Sequence, residues 1–119
     1  MKIIVNKFIP FKGFIAINLF GVLFVREENQ DFVNKTVINH ESIHTEQIKE
    51  MLYIFFYIWY GIEWLIKFII SPYLFKTNKN AYHNISFEQE AYYNEDDYNY
   101  LNKRKRYSWL KYILKEWKN

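Results

Sequence analysis

The apolar segment from Leu52 to Ile70 constrains the fold of this chain more than any other feature of its sequence. Its length is close to the roughly 20 residues that a helix needs to cross a bilayer. Its Leu, Ile and Phe residues favour membrane insertion by about 5 to 6 kcal/mol, and Glu63 and Lys67 oppose insertion by about the same amount. Hydropathy therefore leaves two interpretations open. The segment is either the central core helix, which we favour, or an interfacial helix at a membrane, and Glu63 and Lys67 are spaced to pair.

Composition limits the classes of protein to which the chain can belong. The 119 residues are enough for one domain, 1–119, with a single core. The absence of cysteine excludes disulfides, thiolate metal ligands and cysteine nucleophiles. A net charge of +3 is too small to indicate a nucleic-acid partner. The stretch from Met1 to Val25 is interrupted by Lys7 and Pro10 and has no cleavage site. We therefore expect a cytoplasmic location, with membrane association as the alternative.

The pattern of the chain predicts an α+β fold that is mainly helical. Residues 1–30 form a small β region, in which Ile3 to Asn6 and Phe14 to Val25 are rich in β-branched and aromatic residues. A bend near Gly21 indicates a β-hairpin or a small antiparallel sheet. Residues 36–119 form the helical region.

Local signals set the expected helix boundaries. Thr36 is the candidate N-cap of the first helix. Ser86, with Gln89 three residues later, has the capping-box pattern, which predicts a helix from 87 to about 96. Periodic apolar residues predict a final basic helix from Tyr98 to Trp117.

A run of four basic residues, Lys103 to Arg106, lies in that final helix. Such a run is usually a solvated face. The alternative is a contact with anionic lipid or with an acidic partner.

The segment His40-Glu41-Ser42-Ile43-His44 has the pattern H-E-x-x-H. Positions i and i+4 of a helix lie on one face, so both imidazoles can reach one tetrahedral zinc ion. The carboxylate of Glu41 then lies beside the metal, where it can take a proton from a water molecule on the zinc. This spacing predicts a zinc site with Glu41 as general base.

A catalytic zinc needs a third protein ligand. Glu88 is our preferred candidate, because it heads a predicted helix and shares a face with the small residue Ala91. Glu90 points about 160° away from Glu88 and is expected to be a structural surface residue, with the reverse assignment as the alternative. His83, which precedes the helix, could instead supply a proton or polarise a carbonyl.

At these residues the sequence resembles the gluzincin metallopeptidases and is similar to a short bacterial gluzincin-like family. In gluzincins, H-E-x-x-H is followed by a second helix that carries a Glu ligand, often as E-x-x-A-D, and here Glu88 to Tyr92 reads E-x-x-A-Y. His44 to Gln47 also matches an H-x-x-Q extension found in some small gluzincin-like families. The resemblance covers residues 14 to 96.

The resemblance implies a zincin-like domain in which His40, His44 and Glu88 bind zinc and Glu41 is the general base. In the gluzincins an Asp usually ends the second motif and orients a zinc-binding His. This sequence has Tyr92 at that position. Ligating histidines normally need such an acceptor. Either Glu95, Asp96 or a backbone carbonyl replaces it, or the site is weaker than in active relatives. Tyr92 could instead stabilise an oxyanion with its hydroxyl.

These observations predict a zinc-dependent metallopeptidase or amide hydrolase that acts on a peptide or protein substrate. Glu41 would activate water, and Tyr92 or His83 would bind the oxyanion. An extended substrate could pair with an exposed strand between Ile15 and Val25, as the zincin resemblance implies. The alternative is a non-catalytic protein, associated with a membrane surface or with another protein, in which zinc only fastens two helices.

Overall fold

A computed structural model describes residues 1–74 and 84–115 of the chain. In these residues the fold is α+β, as predicted, with a small sheet followed by helices. The strands are β1 (Lys2–Asn6), β2 (Ala16–Leu19) and β3 (Val22–Arg26). The order in the sheet is β1-β3-β2, with β1 parallel and β2 antiparallel to β3. The sheet is therefore mixed, and the prediction of an antiparallel sheet holds only for the β2–β3 hairpin.

The β2–β3 hairpin turns at Gly21, as the sequence predicted. Gly21 has a φ of +92°, and a Cβ atom there would lie 3.3 Å from Cγ2 of Thr45. A larger residue would be strained in its backbone and would crowd the helix beside the hairpin. Glycine at this position therefore lets the hairpin pack closely against that helix.

The helices in the described residues are α1 (Lys35–Glu50), α2 (Ile54–Leu74), α3 (Ser86–Asn94) and α4 (Tyr100–Lys103). Two 3-10 helices, Glu27–Phe32 and Ser108–Tyr112, precede α1 and follow α4. The main core cluster comprises Ile48 of α1, Phe56 of α2, Ile85 just before α3, Phe87 of α3 and Trp109 of the second 3-10 helix.

Two predicted helix caps are wrong. The N-cap of α1 is Asn34, whose side chain accepts a hydrogen bond from the Val37 backbone N–H at 2.9 Å, so Thr36 is already helical. Helix α3 begins at Ser86 without a capping box. The Glu63 carboxylate of α2 accepts hydrogen bonds from both the backbone N–H and the hydroxyl of Ser86 at 2.6 Å. A carboxylate from another helix thus caps the N-terminus of α3 in place of a side chain of its own.

Helix α2 is not the enclosed core helix that we favoured. Phe56, Glu63 and Lys67 are buried on one side, and most of the other side chains from 54 to 69 are exposed. Glu63 and Lys67 do pair, at 2.8 Å, as their spacing predicted. Among the described residues, no single helix is long and apolar enough to cross a membrane, whereas α1 and α2 taken together, with a 110° bend between them, meet the criteria of length and composition.

The predicted final helix from Tyr98 to Trp117 is wrong in the residues described. Helix α4 ends at Lys103, and Tyr107 has a φ of +58°, a left-handed conformation that a continuous α-helix does not allow. A short 3-10 helix follows. Trp117 lies outside the described residues.

Candidate metal centre

Three polar atoms from two helices converge at one point. Helix α1 presents the Nε2 atoms of His40 and His44, which lie 3.1 Å apart. Helix α3 presents Oε1 of Glu88, which lies 3.1 Å from Nε2 of His40 and 3.0 Å from Nε2 of His44. The three residues are only 7%, 5% and 3% exposed. The group is thus a nearly equilateral triangle that is shielded from solvent.

The dimensions of this triangle suit a small cation. Nitrogen and oxygen ligands at about 2.0 to 2.1 Å from a tetrahedral zinc lie roughly 3.3 to 3.4 Å from one another. The observed separations of 3.0 to 3.1 Å are close to that value. Two imidazoles and a carboxylate are also a common donor set for catalytic zinc. The residues present therefore fit zinc.

The outer nitrogen of each histidine has its own acceptor. Nδ1 of His40 lies 2.8 Å from Oε2 of Glu95, and Nδ1 of His44 lies 2.7 Å from Oε1 of Gln47. With a hydrogen on each Nδ1, the rings donate to these oxygens, and the Nε2 lone pairs are then free for a cation between them and Glu88. Glu95 is thus one of the acceptors expected to replace the missing Asp. Gln47 occupies the last position of the H-x-x-Q pattern, but we assigned it no role from the sequence.

Electrostatics at this point favour a positive charge. Burial lowers the pKa of His40, but the Glu88 and Glu95 carboxylates outweigh burial and raise it to about 10. Burial likewise lowers the pKa of His44, but the Glu88 carboxylate outweighs burial and raises it above its usual value. Burial raises the pKa of Glu88, yet the two histidines hold it well below its usual range. Two Nε2 hydrogens directed at the same Glu88 oxygen would crowd each other, because the Nε2 atoms lie only 3.1 Å apart. One cation at the centre would satisfy all three residues, and protons would compete with it.

Gln47 joins the triangle to a second buried cluster. Its amide nitrogen donates to the backbone oxygen of Phe87 at 3.0 Å and to Oε1 of Glu90 at 2.9 Å. Glu90 also accepts hydrogen bonds from Tyr100 at 2.6 Å and from Arg104 at 2.5 and 3.0 Å. The side chain of Glu90 is fully buried. The prediction that Glu90 is a surface residue is therefore wrong, although its role is structural.

Arg104 is the positive charge that compensates the second cluster. Besides Glu90 it pairs with Glu50 at 2.8 Å, and its side chain is only 5% exposed. Glu50 in turn accepts a hydrogen bond from the Tyr107 backbone N–H at 2.7 Å. Within the basic run from Lys103 to Arg106, the expectation of a solvated face thus fails at Arg104. Its pKa is raised, because the carboxylates of Glu90 and Glu50 outweigh the effect of burial.

A cavity of about 460 Å³ opens beside the triangle, and both His44 and Glu88 line it. Its walls are mostly apolar and include Phe11, Phe14, Ile17, Leu19 and Phe56. Glu41 lines the same cavity, and its negative charge contributes to the raised pKa of both histidines. The candidate base and two candidate ligands therefore border one apolar cavity.

Two tyrosines lie beside the candidate ligands. Tyr60, which no sequence pattern marked as functional, donates its hydroxyl to Oε2 of Glu88 at 2.7 Å and lines the cavity. Tyr92 packs its ring edge-on against the His40 ring, with the ring centres 4.5 Å apart. The oxyanion role of Tyr92 stays a prediction. His83 lies outside the described residues.

Comparisons with known families, curated proteins and solved structures gave no match to this chain.

Proposed function

We propose that this chain is a zinc-dependent peptidase or amide hydrolase in which Glu41 is the general base. The observation that carries the proposal is the buried triangle of His40, His44 and Glu88 beside an apolar cavity that Glu41 also lines. A site that only fastened two helices would not require a cavity or a second carboxylate at that position.

Each residue has a defined task in this proposal. His40, His44 and Glu88 would hold the zinc, which supplies a Lewis acid that activates water at neutral pH. Glu41 would accept the proton of that water and deliver it to the leaving amine. Tyr60 keeps one oxygen of Glu88 hydrogen-bonded, so the other oxygen stays directed at the histidines.

The cavity supports an extended substrate with apolar side chains. Strand β2 pairs with β3 along one edge, and its residues Ala16 to Leu19 line the cavity. Asn18 fixes β2 to α1 by donating to the Glu41 backbone oxygen at 3.0 Å and to the Thr45 hydroxyl at 3.2 Å. An extended peptide could pair with the outer edge of β2, and its apolar side chains would enter the cavity.

The Glu41→Gln variant tests the proposal. Gln keeps the shape of the side chain but cannot accept a proton, so cleavage should fall by about 10²- to 10⁴-fold while zinc content stays the same. The measurement is digestion of a mixed peptide library by the zinc-loaded wild type and variant, read by mass spectrometry.

Glu46→Gln is the matched control, because Glu46 lies on the same helix but is exposed. It should cleave as the wild type does. Equal cleavage by the wild type and by Glu41→Gln would exclude Glu41 as the base. Absence of cleavage by the zinc-loaded wild type would favour the non-catalytic alternative.

The non-catalytic alternative is a structural zinc that joins α1 to α3. One observation favours it: the three candidate ligands are buried and come from these two helices. Cobalt substitution separates the two functions. Acetohydroxamate should change the visible spectrum of the cobalt protein if a coordination position is open, and should leave it unchanged if the metal is closed off.

A further inference from the structure

Helix α2 carries two stripes of side chains with the same spacing on opposite sides. The inward stripe is Phe56, Tyr60, Glu63 and Lys67. The outward stripe is Ile58, Ile62, Leu65 and Ile69, and its members are 50%, 55%, 52% and 57% exposed. The stripes are offset by two residues, which corresponds to about 160° around the helix. One face of α2 thus packs on the protein, and the opposite face is purely aliphatic and uncovered.

The polarity of α2 is the reverse of that of an ordinary surface helix. Such a helix turns its charged residues outward and its apolar residues inward. In α2, Glu63 and Lys67 face inward, where they pair with each other and where Glu63 also accepts the Trp59 indole N–H at 3.0 Å. Charged residues of helices that face lipid are arranged in this way, turned to the protein interior and paired.

The chemistry of the outward face favours lipid over a protein partner. A specific protein interface forms about one hydrogen bond per 100 to 200 Å² and has a polar rim. From 54 to 69, the exposed side chains are aliphatic or aromatic, including Phe55, Ile66 and Phe68. The outward stripe offers a partner no hydrogen-bonding group. Lipid tails require none, whereas a protein interface of ordinary composition would leave some of its polar groups unsatisfied.

We propose that the outward face of α2, defined by Ile58, Ile62, Leu65 and Ile69, docks on the apolar region of a lipid bilayer. This inference does not rest on the metal site. Since no charge lies on the outward face, docking depends on apolar contact. It should therefore occur on uncharged bilayers and should change little with salt.

Co-flotation with vesicles tests this proposal directly. The full chain should float with neutral phosphatidylcholine vesicles at both low and high salt. Ile62→Glu should weaken this partition at least about tenfold, because a carboxylate is costly to place in a bilayer. Phe32→Glu is the matched control, since Phe32 is 59% exposed on the 3-10 helix before α1, and it should float as the wild type does.

Circular dichroism of each variant shows whether it is folded. Ile62→Ser is a second variant that adds no charge, and it should weaken partition less than Ile62→Glu does. Failure of the wild type to float would overturn the proposal. Equal losses in Ile62→Glu and Phe32→Glu would also overturn it. A dimer detected by light scattering that Ile62→Glu dissociates, without vesicle binding, would assign the face to a second copy of the chain instead.

Discussion

The interior between α1 and α3 and the outward face of α2 have opposite chemistry. The interior contains buried histidines, carboxylates and a guanidinium, and each of these charged groups contacts an oppositely charged or hydrogen-bonding partner. The outward face contains aliphatic side chains that are about half exposed. Charged groups are thus enclosed where apolar residues are usual, and apolar residues are exposed where charged groups are usual.

The two regions therefore contribute to the protein in different ways. Buried charges are costly unless they are paired, so the interior depends on complete sets of partners and should respond strongly to single substitutions. The outward face contributes little to the packing of the monomer. Its residues should therefore matter for contacts outside the monomer, and scarcely for its free energy of unfolding.

The largest effect on stability is expected for Arg104→Met. This change leaves the carboxylates of Glu90 and Glu50 buried without their cation, which should lower the free energy of unfolding by about 3 to 5 kcal/mol. Urea denaturation gives the measurement. Arg106→Met is the control, because Arg106 is exposed, and it should change stability by less than about 0.5 kcal/mol. Similar stabilities of the two variants would contradict the importance of the buried cluster.

A smaller effect, on zinc affinity, is expected for Gln47→Leu. Leucine cannot accept the hydrogen on Nδ1 of His44, so the ring loses its fixed orientation and the affinity should fall by about 10- to 100-fold. Competition with a chromogenic chelator measures it. Lys49→Leu, an exposed change on the same helix, should leave the affinity unaltered. An unchanged affinity in Gln47→Leu would show that the hydrogen bond does not support the metal site.

The smallest effect is expected on the exposed side of α2. Phe55 and Phe56 are adjacent in sequence, but Phe55 is 57% and Phe56 5% exposed. Phe55→Ala should change the free energy of unfolding by less than about 0.5 kcal/mol. Phe56→Ala, the same substitution on the buried side, should cost about 3 to 5 kcal/mol. Comparable costs, measured by urea denaturation, would mean that both sides of α2 are packed in the monomer.

The sequence was sufficient to predict features that depend on local spacing. The hairpin at Gly21, the helix that carries His40 and His44, and the pairing of Glu63 with Lys67 all follow from residues a few positions apart. The choice of Glu88 over Glu90 as the residue nearest the histidines also followed from the faces of one helix.

Features that depend on distant residues were not predicted. The cap of α3 is supplied by Glu63, which lies 23 residues before Ser86. The burial of Glu90 depends on Arg104, and a basic run shows no sign of which member will be enclosed. The side of α2 that is uncovered depends on which stripe packs against the rest of the fold. Tertiary contacts decide these features, and no local pattern encodes them.

The zinc content of the purified protein tests our proposal that His40, His44 and Glu88 bind one metal ion. After dialysis against zinc and then against zinc-free buffer, the wild type and the exposed control Glu46→Gln should each retain about one zinc ion per chain. His44→Ala should retain almost none, because it removes one of three ligands. A wild type without zinc, or a His44→Ala variant with as much zinc as the wild type, would contradict the claim.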